Sequence, residues 1–306
     1  MFERILVPLD GSALAEKALP IAEALARTAG GRLILVQALH VWASTPHEAL
    51  ERELEARPLA EADLRAVARQ FELAGLVAST YLALGEPAAV IEKEAEDQDV
   101  GLIVMSTRGR GGLARWALGS IAERVLHVSG RPVLLVPAET SANWPAPSPT
   151  IVVPLDGSHL AEEALEPAVT LAQAIGGRLS LAYVVEPPPL MAYQLPAMYG
   201  SLDRESWVRE SNAYVAGVAK HLSATFPEVE AQSLMGYAAP TIVEHAQARH
   251  AAAIVMASHG RTGLARMVVG SVAMGTIQRA SMPVLVVRPN SFARGAQPPA
   301  LATAGA

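Results

Sequence analysis

Two short signatures have residue types and spacings that could do chemistry, and each occurs twice. Asp10-Gly11-Ser12 follows the apolar run ILVPL, and Asp156-Gly157-Ser158 follows IVVPL. A carboxylate at such a strand tip can hydrogen-bond a ribose or hold a metal beside phosphates. The same Asp or Ser can equally cap the helix that follows, and the residues alone leave both readings open. The second signature runs from Ser106 through Arg108-Gly109-Arg110 to Gly119-Ser120, and again from Ala257 through His259-Gly260-Arg261 to Gly270-Ser271. Nine residues separate the loop glycine from the Gly-Ser pair in each copy. Glycines let the backbone approach a ligand closely, and a Gly-Ser pair opening a helix offers N–H donors plus a hydroxyl. A helix amino terminus favours an anion such as phosphate, with Arg110 and Arg261 in the intervening loops. A flexible turn before an ordinary helix would look similar once; its return at identical spacing favours a phosphate cradle.

These residues need elements to position them. ILVPLDGS at 5–12 returns as IVVPLDGS at 151–158, GGRL at 30–33 returns at 176–179, and GLAR at 112–115 returns at 263–266. One unit is therefore present twice, the second copy lengthened at 186–201. We expect domains at 1–138 and 150–290, a Pro/Ser/Ala-rich linker at 139–149 and a disordered tail at 291–306. In each unit, strand-length apolar runs alternate with longer amphipathic segments. The strands are expected at 5–9, 33–39, 76–84, 102–106 and 133–136, then at 151–155, 179–185, 229–235, 254–258 and 284–287. Helical patterns cover 13–29, 59–74, 87–97 and 118–128. Runs such as LIVMS lack polar alternation, which suits strands covered on both faces. The fold class expected is α/β, two repeated doubly wound parallel sheets of five strands, Rossmann-like, in the order 3-2-1-4-5. Its switch point lies between strands 1 and 4, where ligands bind beyond the strand ends. Pro8 and Pro154 each remove a ladder donor and mark the turn of the chain toward that point.

Composition removes other classes. The chain has 306 residues, 51% hydrophobic and 18% charged, with no cysteine and a net charge of −6. Thiol chemistry, disulfide scaffolds and thiolate zinc sites are excluded. The weak acidic charge disfavours nucleic acid. No apolar run is long enough for a membrane span, and the amino terminus lacks a signal-peptide pattern, so a cytoplasmic location is expected. There is no GxxxxGK[ST], no GxGxxG after strand 1 and no GxSxG elbow. His245 and His250, five apart on a helical pattern, do not share a face and are read as surface residues.

The strand ending in Pro-Leu-Asp-Gly-Ser, the strand 4 loop and the terminal PVLLV and PVLVV strands together resemble the universal stress proteins in their tandem form. The resemblance covers Phe2 to Pro289. That family's ATP-binding pattern, G-x2-G-x9-G-[ST], is met at Gly109, Gly119 and Ser120 and at Gly260, Gly270 and Ser271. Ser106 and Ala257 stand at its first glycine. The resemblance implies ATP or AMP as ligand, with Mg²⁺ as an optional companion. It implies that Asp10 and Asp156 contact ribose or a phosphate-bound metal, that Leu9 and Leu155 lie near the base, and that Pro8 and Pro154 are among the ligand contacts. Ala38 and Val184 would pack on adenine, and Met105 and Met256 would neighbour the ribose. Gly119-Ser120-Ile121-Ala122 and Gly270-Ser271-Val272-Ala273 would hold the phosphates, with Arg110 and Arg261 nearby. Single-domain members dimerise through their fifth strands; here 133–136 and 284–287 could pair internally. A homodimer of tandem chains and a regulatory protein partner are also implied. The 186–201 insertion could be a lid, a dimer contact or packing. The leading function is a nucleotide-dependent stress-response switch; a slow Mg²⁺-dependent ATPase using Asp10 or Asp156, or a nucleotide-independent scaffold, are the alternatives.

Overall fold

The structure, a computed structural model, describes residues 1–40, 45–109, 118–141, 143–187, 204–258 and 269–288. The first half runs β1 (Arg4–Leu9), a 3-10 turn (Ala15–Ala18), α1 (Leu19–Thr28), β2 (Arg32–Leu39), α2 (Pro46–Leu73), β3 (Ala78–Leu84), α3 (Pro87–Asp97), β4 (Leu102–Ser106), α4 (Ser120–Val128) and β5 (Val133–Val136). The second half repeats it as β6 (Thr150–Leu155), α5 (His159–Glu162), α6 (Leu165–Ile175), β7 (Arg178–Val185), α7 (Arg204–Leu222), β8 (Val229–Met235), α8 (Ala238–Ala248), β9 (Ala253–Ala257), α9 (Ser271–Arg279) and β10 (Val284–Val287). The strands form one ten-stranded sheet in the order β3-β2-β1-β4-β5-β10-β9-β6-β7-β8. Each half has the 3-2-1-4-5 order, and the halves meet where β5 and β10 pair antiparallel, with Leu285 opposite Leu134. All other strand pairs are parallel.

The sheet is covered on both faces, which is why β4 and β9 are buried along their whole length. On one face Ile5, Val7, Leu33 and Leu35 pack with Leu25 of α1 and Leu64 and Phe71 of α2, in a core that continues through Ile151, Leu171 and Leu285. On the other, Leu6, Ile34 and Ile103 meet Ile91 of α3 and Val125 of α4, continuing through Ile254 and Ile277. Both cores therefore span the halves. A second tie is Arg288, just after β10, whose Nη1 donates to the Ser129 carbonyl at 2.9 Å at the end of α4. The position of the repeated glycine pair is set by close approach. Gly31 lies under the first strand, where a Cβ would sit 2.3 Å from the Phe2 carbonyl, and Gly177 would meet the Pro149 carbonyl at 2.7 Å.

Two expected elements differ. The 13–29 helix is split into the 3-10 turn and α1, because Pro20 in the first turn of α1 cannot donate backward. The 59–74 helix is longer: α2 begins at residue 46 and carries Pro58 inside it. Thr45 caps that helix, its hydroxyl accepting from the Glu48 N–H at 3.2 Å. The 186–201 insertion from residue 188 onward, and the 291–306 tail, lie outside the described residues. Among the described residues, no helix is long and apolar enough to cross a membrane.

Candidate functional site

The strand prolines explain how the site opens. Odd-numbered backbone groups of β1 face β2, as in the bond from Arg32 N–H to the Glu3 carbonyl; even-numbered ones face β4, as in Gly101 N–H to Arg4. Pro8 therefore lacks its donor on the β4 side. The β1–β4 register ends at Leu6 opposite Ile103, while β1–β2 pairing continues to Leu9 opposite Gln37. Losing the donor costs no ladder bond, and β1 and β4 part. Pro154 repeats this: β6 pairs β9 only through Val152 and Ile254, yet continues along β7 to Leu155 and Tyr183.

In the first half the parting opens into a cavity of about 910 Å³, within the ~300–1,000 Å³ typical of small-molecule sites. The residues expected from the sequence that line it are Pro8, Leu9, Asp10, Ala38, Met105, Ser106, Gly109, Gly119, Ser120, Ile121 and Ala122. Arg110 lies outside the described residues. Asp10 does local work with one oxygen: its Oδ1 accepts the Ser12 N–H at 2.9 Å, and the Ser12 hydroxyl accepts from Ala15 N–H at 3.2 Å, capping the 3-10 turn. Its Oδ2 lies against Gly109, where a Cβ would come within 2.5 Å. The loop glycine is thus required by the carboxylate. Ser106, at the first motif position, accepts the Arg108 N–H on its hydroxyl at 3.3 Å, a local turn that a glycine could not make.

The helix termini facing the cavity are unequal. Glu86 caps α3, its Oε2 accepting from Ala89 N–H at 3.0 Å. Burial works against its charge, but the Ala89 and Ala88 amides and the Arg124 guanidinium outweigh this and hold the carboxyl below its usual range. The amino terminus of α4 has Gly119 at its cap and no side-chain cap, so its first-turn N–H groups lack the partner that α3 has. Gly119 is held by its own N–H to the Thr107 carbonyl at 2.8 Å. Arg108 also lines the cavity and pairs with Glu139 at 3.4 Å.

Sequence reasoning missed the far wall. Gln37 and His40 at the end of β2, Ala56, Leu59, Ala60 and Asp63 of α2, and Pro87 and Ile91 of α3 also line the cavity. Leu59 is 70% exposed, and Gln37 interrupts the apolar run RLILVQAL; that single polar residue was the available signal. An adjoining cleft of about 340 Å³ is bounded by Leu9, Gly11, Glu16, Gln37, Asp63 and Val67.

The second half keeps the plan with different furniture. Asp156 Oδ1 accepts from Ser158 N–H at 2.9 Å and from its hydroxyl at 2.6 Å. Leu155 and Met256 are buried at the strand ends, with Pro154 and Val184 partly buried. Ala257 closes β9. Gly270 donates to the Ser258 carbonyl at 2.8 Å and leaves α9 uncapped at Ser271, Val272 and Ala273; Gly260 and Arg261 lie outside the described residues. Where the first half has Gln37, the second has Tyr183, edge-on to Tyr214 at 5.9 Å between ring centroids. The Tyr214 hydroxyl donates to Glu162 at 2.7 Å, and burial followed by that carboxylate raises its pKa well above the usual phenol value. His245 is no surface residue: it is 8% exposed on α8, and its Nε2 lies 3.0 Å from the Ser180 hydroxyl on β7. Burial holds its pKa below the ordinary value. Among the described residues, no three His, Asp or Glu side chains gather as a metal set.

The family model described as the universal stress protein family matches residues 1–137 and 148–288. A universal stress protein of Methanocaldococcus jannaschii is 36% identical over 140 residues, 45% of this chain and 81% of that protein. One from Mycolicibacterium smegmatis is 29% identical over 195 residues, and the match spans 61% of this chain and 62% of that relative's length. A solved universal stress protein from Archaeoglobus fulgidus superposes with a TM-score of 0.69 at 22% identity, over 94% of this chain and 97% of the other. A Pseudomonas aeruginosa structure gives 0.66 at 20% identity, over 95% and 94%.

Proposed function

Because the chain belongs to the universal stress protein family, we propose that its first half binds an adenine nucleotide, ATP or AMP, and that occupancy is the signal other proteins read. The observation that carries this reading is the uncapped amino terminus of α4 opening onto a cavity whose wall includes the Asp10 carboxylate. Free N–H groups at a helix start, reinforced by the helix dipole, suit phosphate oxygens. Along the sheet, β4 and α4 would take the phosphates. Asp10 and Met105 would flank the ribose. The apolar wall of Ala38, Leu59 and Ala60 would take the base. The site offers Asp10 to a Mg²⁺ that arrives on the phosphates, where the ion would neutralise their charge. The second half repeats the strand-tip aspartate and uncapped α9, so it is a second potential site on the same reading.

A nucleotide would act by population shift, favouring whichever arrangement of the chain binds it better. At 100 times its dissociation constant it would stabilise the fold by ~2.7 kcal/mol. At roughly 2–4 °C per kcal/mol for a chain of this size, the melting temperature should rise by about 5–10 °C. No shift with millimolar ATP or AMP would refute the proposal.

A further inference from the structure

The base end of the cavity holds a polar group that the fold does not use. Gln37 is 7% exposed, lines both the main cavity and the adjoining cleft, and its carboxamide makes no hydrogen bond among the described residues. The alternation that turns Leu33 and Leu35 into the core beside α2 puts Gln37 on that same face, next to Ala60 and Asp63. Its amide atoms open onto the cavity and are not sealed from water, so a ligand that displaces that water must supply a donor and an acceptor in its place. The fold does not require it. At the matching register the second half carries Tyr183, packed against Tyr214.

A carboxamide presents one acceptor oxygen beside an NH₂ donor. Its complement is an adjacent donor and acceptor on a flat, otherwise apolar group, such as the amino group and neighbouring ring nitrogen of adenine. Gln and Asn pair with adenine in this way elsewhere. Resting on the nucleotide reading above, we propose that Gln37 is the base-reading residue of the first site, pairing with the adenine amino edge, and that the second half lacks this reader. The two halves would then differ in what they bind: the first selects a base, whereas the second, with a tyrosine pair in that place, does not select through this contact.

The test uses the full chain carrying Gly270→Val, which obstructs the second-half helix terminus so that the first site is measured. ATP, purine riboside triphosphate (which lacks the 6-amino group) and inorganic triphosphate are titrated against this protein and against its Gln37→Leu derivative. One neutral hydrogen bond is worth roughly ten-fold in affinity. The parent should therefore bind ATP roughly ten-fold tighter than the deaminated analogue, and Gln37→Leu should bring that ratio near one. Inorganic triphosphate should bind both proteins equally. Unliganded Gln37→Leu should melt close to its parent, since the amide faces the cavity and holds nothing in the fold together. An unchanged ATP-to-analogue ratio, or a destabilised unliganded variant, would overturn the assignment while leaving nucleotide binding intact. Failure of the folded parent to bind ATP at all would instead overturn the nucleotide reading, and this assignment with it.

Discussion

Gly109→Ala tests whether the loop glycine exists to accommodate the strand-tip carboxylate. The new methyl would sit 2.5 Å from Asp10 Oδ2, well inside van der Waals contact, so one of the two must move. If the carboxylate turns away, it releases the 2.9 Å bond from the Ser12 N–H, a charge-assisted bond worth about 1.5–3 kcal/mol. Ser12 in turn caps the following turn through Ala15. The expected loss is about 1–3 kcal/mol, or roughly 2–12 °C in melting temperature at 2–4 °C per kcal/mol, together with weaker protection by ATP. A second background reverses the expected sign. In Asp10→Ala the collision is gone, and Gly109 has no left-handed φ. A Gly→Ala change there should be neutral or stabilise by up to ~1 kcal/mol, through the unfolded chain. Thermal melts of the wild type, both single variants and the double variant complete the cycle. An equal cost for Gly109→Ala with and without Asp10 would refute the steric account.

Three further outcomes follow from other contacts. Arg288→Ala removes a cation and its donors from the carboxyl end of α4, where they reach His127, Val128 and Ser129. It should cost about 0.5–2 kcal/mol and speed amide exchange in α4, with Arg288→Lys recovering only part. Burial lowers the His245 pKa from 6.5, so between its folded value and 6.5 the unfolded chain binds more protons. Stability should then rise with pH through that window and level off above it; denaturant titrations across roughly pH 5 to 8 should show this slope, and His245→Gln should flatten it. Trp144→Phe deletes the 2.8 Å bond from the indole N–H to the Ala252 carbonyl, which joins the inter-domain segment to the second half. It should lower stability by about 1 kcal/mol in the same denaturant titrations.

The repeat and its apolar central strands made the sheet legible in the sequence, because strands buried on both faces, such as β4 and β9, leave no polar alternation to misread. The sequence leaves the pairing of β5 with β10 open, since two short apolar strands can meet within a chain or between chains; here they pair within the chain. Pro58 concealed the first half of α2. A proline usually ends a helical reading, yet here the Thr45 cap and i,i+4 pairs such as Glu48–Arg52 and Glu53–Arg57 support the turns before it. The Gly-Ser end of the cavity, which the proposal gives to phosphate, could be placed from the sequence because glycine and serine recur at fixed spacing after a strand. The far wall of the cavity could not, because Ala60, Leu59 and Asp63 reach it only through the packing of α2, which no local spacing encodes. His245 was misread for a related reason. Its partner Ser180 lies on another element, 65 residues away in sequence.

The most direct measurement denatures freshly purified full-length chain and resolves the released small molecules by ion-exchange chromatography, alongside equilibrium dialysis against millimolar ATP. The account predicts an adenine nucleotide from the wild type. It predicts little or none from Gly119→Val, whose side chain would crowd the Thr107 carbonyl, already 3.2 Å from a Cβ at that position. A wild-type chain that releases no nucleotide and takes up none in dialysis would contradict it.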